Sequence, residues 1–199
     1  MRSCFAALAV LVTALCLVAS PAAHAGDSDA GQAALMNVIA QASQRLALAD
    51  PVARYKWLKS QAITDVPRET ALLAQVAQRA PGYGVDPQFA QTFFRDQIDA
   101  NKRVQQALID EWRQAPPSGA SQAPDLAETI RPQLDQLTTT LLAALARVQP
   151  IREADDCPVR LAHSLTEWQR LNLGDGLHQQ ALRQALQHLC AGGGVGAIA

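Results

Sequence analysis

Apolar residues recur with the spacing of an α-helix from residue 31 onward, and this periodicity limits the possible fold more than any other feature. They return every three to four positions, and we find no sustained alternation with the period of two that a β-strand requires. Good helix formers such as Ala, Leu, Gln and Arg are abundant, and β-branched residues are few. The 199 residues suffice for one domain with a substantial core. The sequence therefore predicts an all-α, single-domain bundle of long helices.

Proline, glycine and capping residues divide this pattern into separate helices. Asp65 and Asp86 are suited to cap a helix, and the prolines that follow them closely are tolerated in a first turn. Residues 115–124 are rich in Pro, Ser, Gly and Ala and predict an exposed loop, while the Gly-rich tail 191–199 is expected to fray. Helices are predicted over about 31–60, 66–80, 87–114 and 126–148, with one or two more between about 157 and 190 that break near 174–176.

The first 25 residues have the composition of a secretory signal peptide. Arg2 precedes an apolar run over 5–19, and the segment 23–25 (Ala-His-Ala) is a cleavage site of the A-x-A type. The apolar run is short for a membrane span, although a retained membrane anchor is the alternative. We therefore expect cleavage after residue 25, a mature domain over 26–199, and a secreted or periplasmic protein that does not contact the membrane.

Four cysteines occur in the chain, and the predicted cleavage removes two of them, Cys4 and Cys16. Cys157 and Cys190 remain in the mature domain. Two cysteines in an exported chain most simply form a disulfide bond, because the compartments outside the cytosol are oxidising. Two free thiols are the alternative.

The charge and the motifs of the chain argue against several classes of function. The net charge is -1, so the chain lacks the surplus of Lys and Arg that binding to nucleic acid requires. The histidines of the mature domain do not have metal-ligand spacing, and no nucleophile motif or Gly-rich phosphate loop is present. We therefore expect neither a metal nor a cofactor.

Polar residues interrupt the apolar stripes of three predicted helices. Arg45 and Lys56 fall on the stripe of the first helix, and because eleven residues are close to three turns, they are predicted to face the same way. Glu69 lies on the second stripe with Arg68 beside it. Buried polar groups need partners, so these side chains either satisfy one another or bind a polar ligand. Cations predominate among them, which indicates an interior pocket for a small dianion.

The third long helix contributes amides to the same pattern. Asn101 and Gln105 form an i, i+4 pair on one face, and Gln97 lies one turn before them. Each residue alone is typical of a core hydrogen bond, and Asp65 alone is typical of a helix cap. The convergence of polar groups from three helices is what favours the pocket.

Two stretches of the chain carry a family resemblance. The first is RLALADPVARYKW over 45–57, followed by ITDVPRE over 63–69. The second is DQIDAN over 96–101, which runs on to Gln105 and Trp112. Together they closely resemble the secreted, monofunctional chorismate mutases of the all-helical class. The likeness extends over nearly the whole mature chain and includes the signal peptide and a C-terminal pair of cysteines.

The resemblance implies a cofactor-free isomerase, an intramolecular transferase that converts chorismate to prephenate in the Phe/Tyr branch of aromatic amino acid biosynthesis. It implies that Arg45 and Arg68 hold the carboxylates of the substrate. Lys56 would donate to the ether oxygen and a carboxylate, and Gln105 would be the second donor to the ether oxygen.

The resemblance implies roles for three further residues. Glu69 matches the acid that holds the ring hydroxyl, and Asp65 and Asn101 match positions that orient the substrate and its neighbours. The chain departs from some relatives where they place a further arginine on the fourth long helix. We align that position with Thr140, and we expect a structural or rim role for Arg131, which also matches a family arginine.

The resemblance also implies a homodimer, with each active site inside one subunit. The competing hypothesis is a non-catalytic periplasmic protein, either a small-anion binding module or a helical adaptor. The interior polar residues distinguish the two, because an adaptor would tolerate loss of Arg45 and an enzyme would not.

Overall fold

The computed structural model describes residues 23–117, 125–172 and 174–193, with side chains from residue 29 onward. Within these ranges the chain is helical and contains no β-strand, which confirms the predicted all-α class. Most of the predicted signal peptide, part of the predicted loop and most of the predicted tail lie outside the described residues. The α-helices are α1 Ala23–Ala47, α2 Ala49–Leu58, α3 Val66–Arg79, α4 Pro87–Gln114, α5 Arg131–Arg152, α6 Cys157–Leu171 and α7 Gly176–Ala185.

The predicted continuous helix over 31–60 is wrong, because the chain breaks at Leu48 between α1 and α2. Pro51 explains the break: it has no amide hydrogen for the carbonyl of Ala47, and its ring clashes with that carbonyl. At the break, the amide of Leu48 donates to the carbonyl of Arg45, at 3.3 Å. This bond spans three residues, as in a turn, whereas an α-helical bond spans four. The break lies between Arg45 and Lys56, so these two cations come from different helices.

The break also changes which residues of α2 face the core. Ala49 and Ala53 are fully buried, whereas Val52 is only half-buried. Before the break, the apolar residues Leu35 and Ile39 of α1 are fully buried.

The two predicted aspartate caps are confirmed. The side chain of Asp65 accepts from the amide of Arg68 at 3.2 Å and begins α3. The side chain of Asp86 accepts from the amide of Phe89 at 2.7 Å and begins α4. Between these helices a 3-10 turn over Ala80–Tyr83 ends at Gly84, whose φ of 70° is the left-handed conformation that glycine adopts without strain.

The second half of the bundle begins with a single π-helical turn over Leu126–Ile130. Pro132 follows in the first turn of α5, where the missing amide hydrogen breaks no helical bond. Helix α5 begins at Arg131, five residues later than predicted, and ends at Arg152, four residues later than predicted. Helices α6 and α7 are separated at the predicted glycine-containing segment.

Helix α1 is the central element of the core. It packs against α4, α5, α6 and α7, and its buried residues form one hydrophobic cluster with those of the other helices. Phe93 and Phe94 of α4 are fully buried in this cluster. None of the described helices is both long enough and apolar enough to span a bilayer.

A disulfide bond joins Cys157 at the start of α6 to Cys190 after α7, as predicted, with a Cα–Cα distance of 5.8 Å. The amide of Ala191 donates to the carbonyl of Arg152, at 2.8 Å, and attaches the same segment to the end of α5. The two cysteines are 33 residues apart. Closing a loop of that length stabilises the fold by roughly 3–4 kcal/mol in the chain-entropy model.

Candidate active site

Arg45, in the last turn of α1, is a charged side chain held inside the bundle. It is 6% exposed, and its Nη1 donates to the carbonyl of Leu134 at 3.2 Å and to Oγ1 of Thr138 at 3.4 Å. The guanidinium also lies 5.8 Å from the centre of the Phe94 ring. Burial, with a smaller contribution from the charge of Arg68, lowers the pKa of Arg45 to about 10. The group therefore remains a cation at neutral pH.

Arg45 forms the floor of a cleft between α3 and α5, which we call the Arg45 cleft. Its volume is about 290 Å³. Arg68 is exposed at its edge, so two arginines of different helices face one space. The hydrogen-bond partners of Arg45 among the described residues are neutral oxygens, and the carboxylate of Asp135, which also lines the cleft, acts to raise the pKa of Arg45. The cleft is lined by Arg45, Arg68, Ala71, Leu72, Gln75, Leu134, Asp135 and Thr138.

Lys56 is positioned by the way α2 ends. The amide of Gln61 donates to the carbonyl of Lys56 at 2.8 Å, and the amide of Ser60 donates to that of Trp57 at 3.3 Å, which is the Schellman pattern. Ser60 has a φ of 51°, the left-handed conformation that this motif requires after the helix. The chain then turns back, and Nζ of Lys56 donates to the carbonyl of Ile63.

The ammonium of Lys56 is in a mixed electrostatic environment. Burial lowers its pKa, the carboxylates of Asp65 and Glu69 oppose that shift, and the charges of Lys102 and Arg68 add to it. The net effect is a pKa below the ordinary value for lysine. Arg68 lowers the pKa of both Lys56 and Arg45, so each of these two cations lies within electrostatic reach of Arg68.

Lys56 lines a second cleft, the Lys56 cleft, with a volume of about 800 Å³. Trp57 forms an apolar part of its lining. The Trp57 ring packs edge-on against that of Trp112, with ring centres 6.3 Å apart. The Arg45 cleft and the Lys56 cleft share no lining residue. Of the predicted substrate contacts, Arg45 and Arg68 line the first cleft and Lys56 lines the second. The other predicted contacts line neither cleft: Asp65, Glu69, Asn101 and Gln105. The Lys56 cleft is lined by Lys56, Trp57, Ser60, Gln61, Ala62, Ile63, Thr64, Gln106, Ile109 and Arg113.

Glu69, in the first turn of α3, has partners on both carboxylate oxygens. Oε1 accepts from the amide of Asp65 at 3.3 Å, while Asp65 caps the helix, so the two residues form a reciprocal capping box. Oε2 accepts from Nζ of Lys102 on α4 at 3.1 Å. Burial alone would lower the pKa of Lys102, but the hydrogen bonds with Glu69 and Asp99 outweigh it and raise that pKa.

Two amides of α4 connect the interior polar residues. Nε2 of Gln105 donates to Oδ1 of Asn101 at 2.6 Å, and Nδ2 of Asn101 donates to the carbonyl of Arg45 at 3.4 Å. That carbonyl lies at the break between α1 and α2. Gln105 is 3% exposed, and its Oε1 is buried with no hydrogen-bond partner among the described residues. The amide of Gln105 keeps a second N–H, from which a ligand can accept a hydrogen bond.

Gln97 and Thr140 do not belong to this group. Nε2 of Gln97 donates to the carbonyl of Ala185 at 2.7 Å, so this residue ties α4 to α7. Thr140 is exposed, bonds the carbonyl of Leu137, and lines a different cleft from Arg45. Thr138 is the residue of α5 that faces Arg45.

Arg131 is exposed on α5, three and seven residues before Leu134 and Thr138. Residues with this spacing share one helix face, so the position of Arg131 is on the side of the Arg45 cleft, at its rim. The structural or rim role of Arg131 stays a prediction.

Sequence reasoning missed three contributors to the site. Lys102 carried a signal, because it follows Asn101 directly and stands at i+3 from Asp99, to which it is paired at 3.2 Å. Thr138 and the carbonyl of Ile63 carried none, because their role depends on how α5 and the segment after α2 pack.

Comparison with known proteins gives a consistent result. The family model for chorismate mutase type II matches residues 36–106, a stretch that contains the predicted substrate-binding residues. The secreted chorismate mutase of Mycolicibacterium smegmatis is 33% identical over 181 residues, which cover 91% of this chain and 97% of that protein. A monofunctional chorismate mutase of Enterobacter agglomerans is 34% identical over 105 residues, covering 53% of this chain and 57% of that protein.

Solved structures show the same likeness. The crystal structure of a chorismate mutase from Burkholderia thailandensis superimposes with a TM-score of 0.76 at 54% sequence identity, covering 79% of this chain and 99% of that chain. A second, from Burkholderia phymatum, has the same TM-score at 35% identity and covers 81% and 98%. These similarities span both the helical fold and the stretch that holds the site. The chain belongs to the chorismate mutase family.

Proposed function

We propose that this chain is an exported chorismate mutase that rearranges chorismate to prephenate. In this proposal the substrate contacts residues of both the Arg45 cleft and the Lys56 cleft. One observation carries the proposal: α1, α2 and α3 each contribute a cation, Arg45, Lys56 and Arg68, and the charge of Arg68 acts on both of the others. This arrangement suits a small dianion that also carries uncharged oxygens.

The two arginines are assigned to the substrate carboxylates. Arg45 is buried with its position fixed by Leu134 and Thr138, so it presents charge without the entropy cost of ordering a free side chain. Arg68 is exposed at the cleft edge and can close over a bound carboxylate. Glu69 is assigned to the ring hydroxyl, and Asp65 holds Glu69 through its backbone amide.

The reaction requires no external reagent. In one concerted step the ether C–O bond breaks, a C–C bond forms, and no proton or electron is gained or lost. The protein contributes by holding the reacting carbons close together and by placing donors where negative charge grows on the ether oxygen. Lys56 and Gln105 are assigned as those donors, and Asn101 orients Gln105.

Replacing Arg45 by alanine is expected to lower kcat/KM for chorismate by about 100-fold or more, because a buried charge–carboxylate contact is worth roughly 3 kcal/mol. Arg45→Lys keeps the charge but not the planar fork, so we expect it to lose at least about tenfold. The measurement is the initial rate of chorismate disappearance by absorbance, with prephenate confirmed as phenylpyruvate after acid treatment.

Arg79→Ala is the matched control for this series. Arg79 is also an arginine that donates to a threonine of α5, Oγ1 of Thr139 at 2.8 Å, but it lines neither cleft. It should keep wild-type activity within about twofold after correction for any change in folding by circular dichroism. A folded wild-type protein without turnover would reject the proposed enzyme and favour the non-catalytic anion-binding protein.

Export is part of the proposal. The similar protein of Mycolicibacterium smegmatis is named as secreted, the N-terminal 25 residues have the composition of a signal peptide, and the Cys157–Cys190 disulfide suits an oxidising compartment. N-terminal sequencing of the protein recovered outside the cytoplasm tests it, with cleavage after residue 25 as the expected result.

A homodimer with one complete active site in each subunit is proposed from the family resemblance. Sedimentation equilibrium of the mature protein tests the dimer, and a concentration-independent monomer mass would reject it.

A further inference from the structure

Lys102 is a charged residue, paired with Glu69, that has no role in the sequence motifs or in the proposed function. It projects from α4 between Glu69 on α3 and Asp99 one turn earlier, with its Nζ 3.1 Å and 3.2 Å from their carboxylate oxygens. Its side chain is 26% exposed and that of Glu69 is 24% exposed, so the pair is partly shielded from solvent. A partly buried, doubly paired ammonium is held more firmly than an exposed ion pair.

Glu69 has a second lysine in its electrostatic surroundings. Lys56 lies within electrostatic reach of Glu69, which acts to raise the pKa of Lys56. Glu69 therefore has two candidate cations, Lys102 and Lys56. A direct Glu69–Lys56 pair would occupy the ammonium that the proposed reaction needs as a donor, and it would also turn Glu69 away from the ring hydroxyl.

We propose that Lys102 is a positioning residue that holds the Glu69 carboxylate on the α4 side of the site, so that Glu69 is aimed at the substrate hydroxyl and Lys56 stays available to the ether oxygen. The proposal rests on the proposed function. Asp99 completes the device, because it fixes the ammonium of Lys102 from the same helix at i+3.

The test is Lys102→Met, which keeps the length of the side chain and removes its charge. We expect kcat/KM for chorismate to fall about tenfold, the usual effect of losing one charge-assisted hydrogen bond. Most of the loss should be in kcat, because the freed Glu69 competes for Lys56. Lys102→Arg can bridge the same two carboxylates and should recover activity to within about threefold of wild type.

Arg103→Met is the matched control. It removes one positive charge from the next position of α4, where the guanidinium Nη2 contacts Oε1 of Gln180 at 3.4 Å and is exposed. Its kcat/KM should stay within about twofold of wild type, since an exposed charge has little effect beyond a Debye length of about 8 Å. An equal loss in Arg103→Met and Lys102→Met would show a general effect of net charge and overturn the proposal.

A double-mutant cycle shows whether Lys102 acts through Glu69. In the Glu69→Gln background, Lys102→Met should change kcat/KM by less than about twofold, since there is no carboxylate left to position. A full tenfold loss in that background would mean that Lys102 acts on the substrate without Glu69, and the proposal would be wrong.

One measurement is independent of turnover. Glu69→Gln should lower the pKa of the Lys102 ammonium followed by NMR, because the hydrogen bond with Glu69 is one of the contacts that raise it. An unchanged pKa would show that the ion pair is absent in solution and would overturn the positioning role. The wild-type protein could be inactive while Glu69→Gln still lowers the pKa of Lys102. That result would reject the proposed function and the catalytic part of this inference, and the ion pair itself would stand.

Discussion

Lys56→Ala is expected to lower kcat for chorismate by about 10²- to 10³-fold while the protein remains folded. This is the usual effect of removing one preorganised donor from an atom on which negative charge develops. The substitution also removes the hydrogen bond to the carbonyl of Ile63, at a cost of about 1 kcal/mol. That is a small part of the stability of an ordinary domain, so the loss of activity should far exceed any loss of fold.

Lys59→Ala is the control for this prediction. Lys59 is the neighbouring lysine at the end of the same helix, it is exposed, and it lines neither cleft. It should retain wild-type kcat within about twofold. Steady-state rates at saturating chorismate, with circular dichroism for folding, make the comparison. Near-normal turnover in folded Lys56→Ala would remove Lys56 from the mechanism.

Lys56 also sets the direction in which the activity changes at alkaline pH. Burial lowers the pKa of Lys56 below its ordinary value, and only the protonated ammonium can donate to the ether oxygen. Activity should therefore be complete at neutral pH and fall as the pH rises through this lowered pKa. In Lys56→Ala that alkaline limb should be absent from the residual rate.

The sequence predicted most of the fold because its local signals agree with its packing. Asp65 and Asp86 were recognisable as caps from their spacing to a following proline, and both bond the backbone as expected. The break at Leu48 was missed because the apolar stripe appeared continuous across it. The signal was present in Pro51, since a proline removes the helical bond to the residue four positions earlier.

The candidate site was harder to predict, because it depends on long-range packing. Arg45 was identifiable as a cation on an apolar stripe, but its partners lie 89 and 93 residues away on α5. No periodicity fixes the rotation of α5 against α1, so the sequence could not show that Thr138 faces the Arg45 cleft while Thr140 lines a different one. The residues within one motif were predicted well, and the contacts between helices were not.

Gln105→Glu is expected to move the pH optimum of the reaction toward acid and to lower the rate at neutral pH by about 100-fold. A glutamine amide donates at every pH, whereas a carboxyl donates only while it is protonated. The sign follows: the variant is active below the pKa of the new carboxyl and loses activity as the pH rises through it. The nearly complete burial of this position raises the pKa of a carboxyl placed there.

The hydrogen-bond chain makes this change specific. Oδ1 of Asn101 now accepts from Nε2 of Gln105, so an ionised glutamate would place two acceptors against each other. Protonation restores a donor, which is why acid should recover activity in the variant and not in wild type.

Gln91→Glu is the control for Gln105→Glu, because it makes the same change on the same helix, about 21 Å away along the axis at 1.5 Å per residue. Gln91 donates to the carbonyl of Leu73 at 3.3 Å and lines neither cleft, so its pH profile should keep the wild-type shape. The measurement is kcat against pH from about 4 to 9 for the wild-type protein, Gln105→Glu and Gln91→Glu. A Gln105→Glu profile that matches wild type would exclude Gln105 as the second donor and leave Lys56 alone at the ether oxygen.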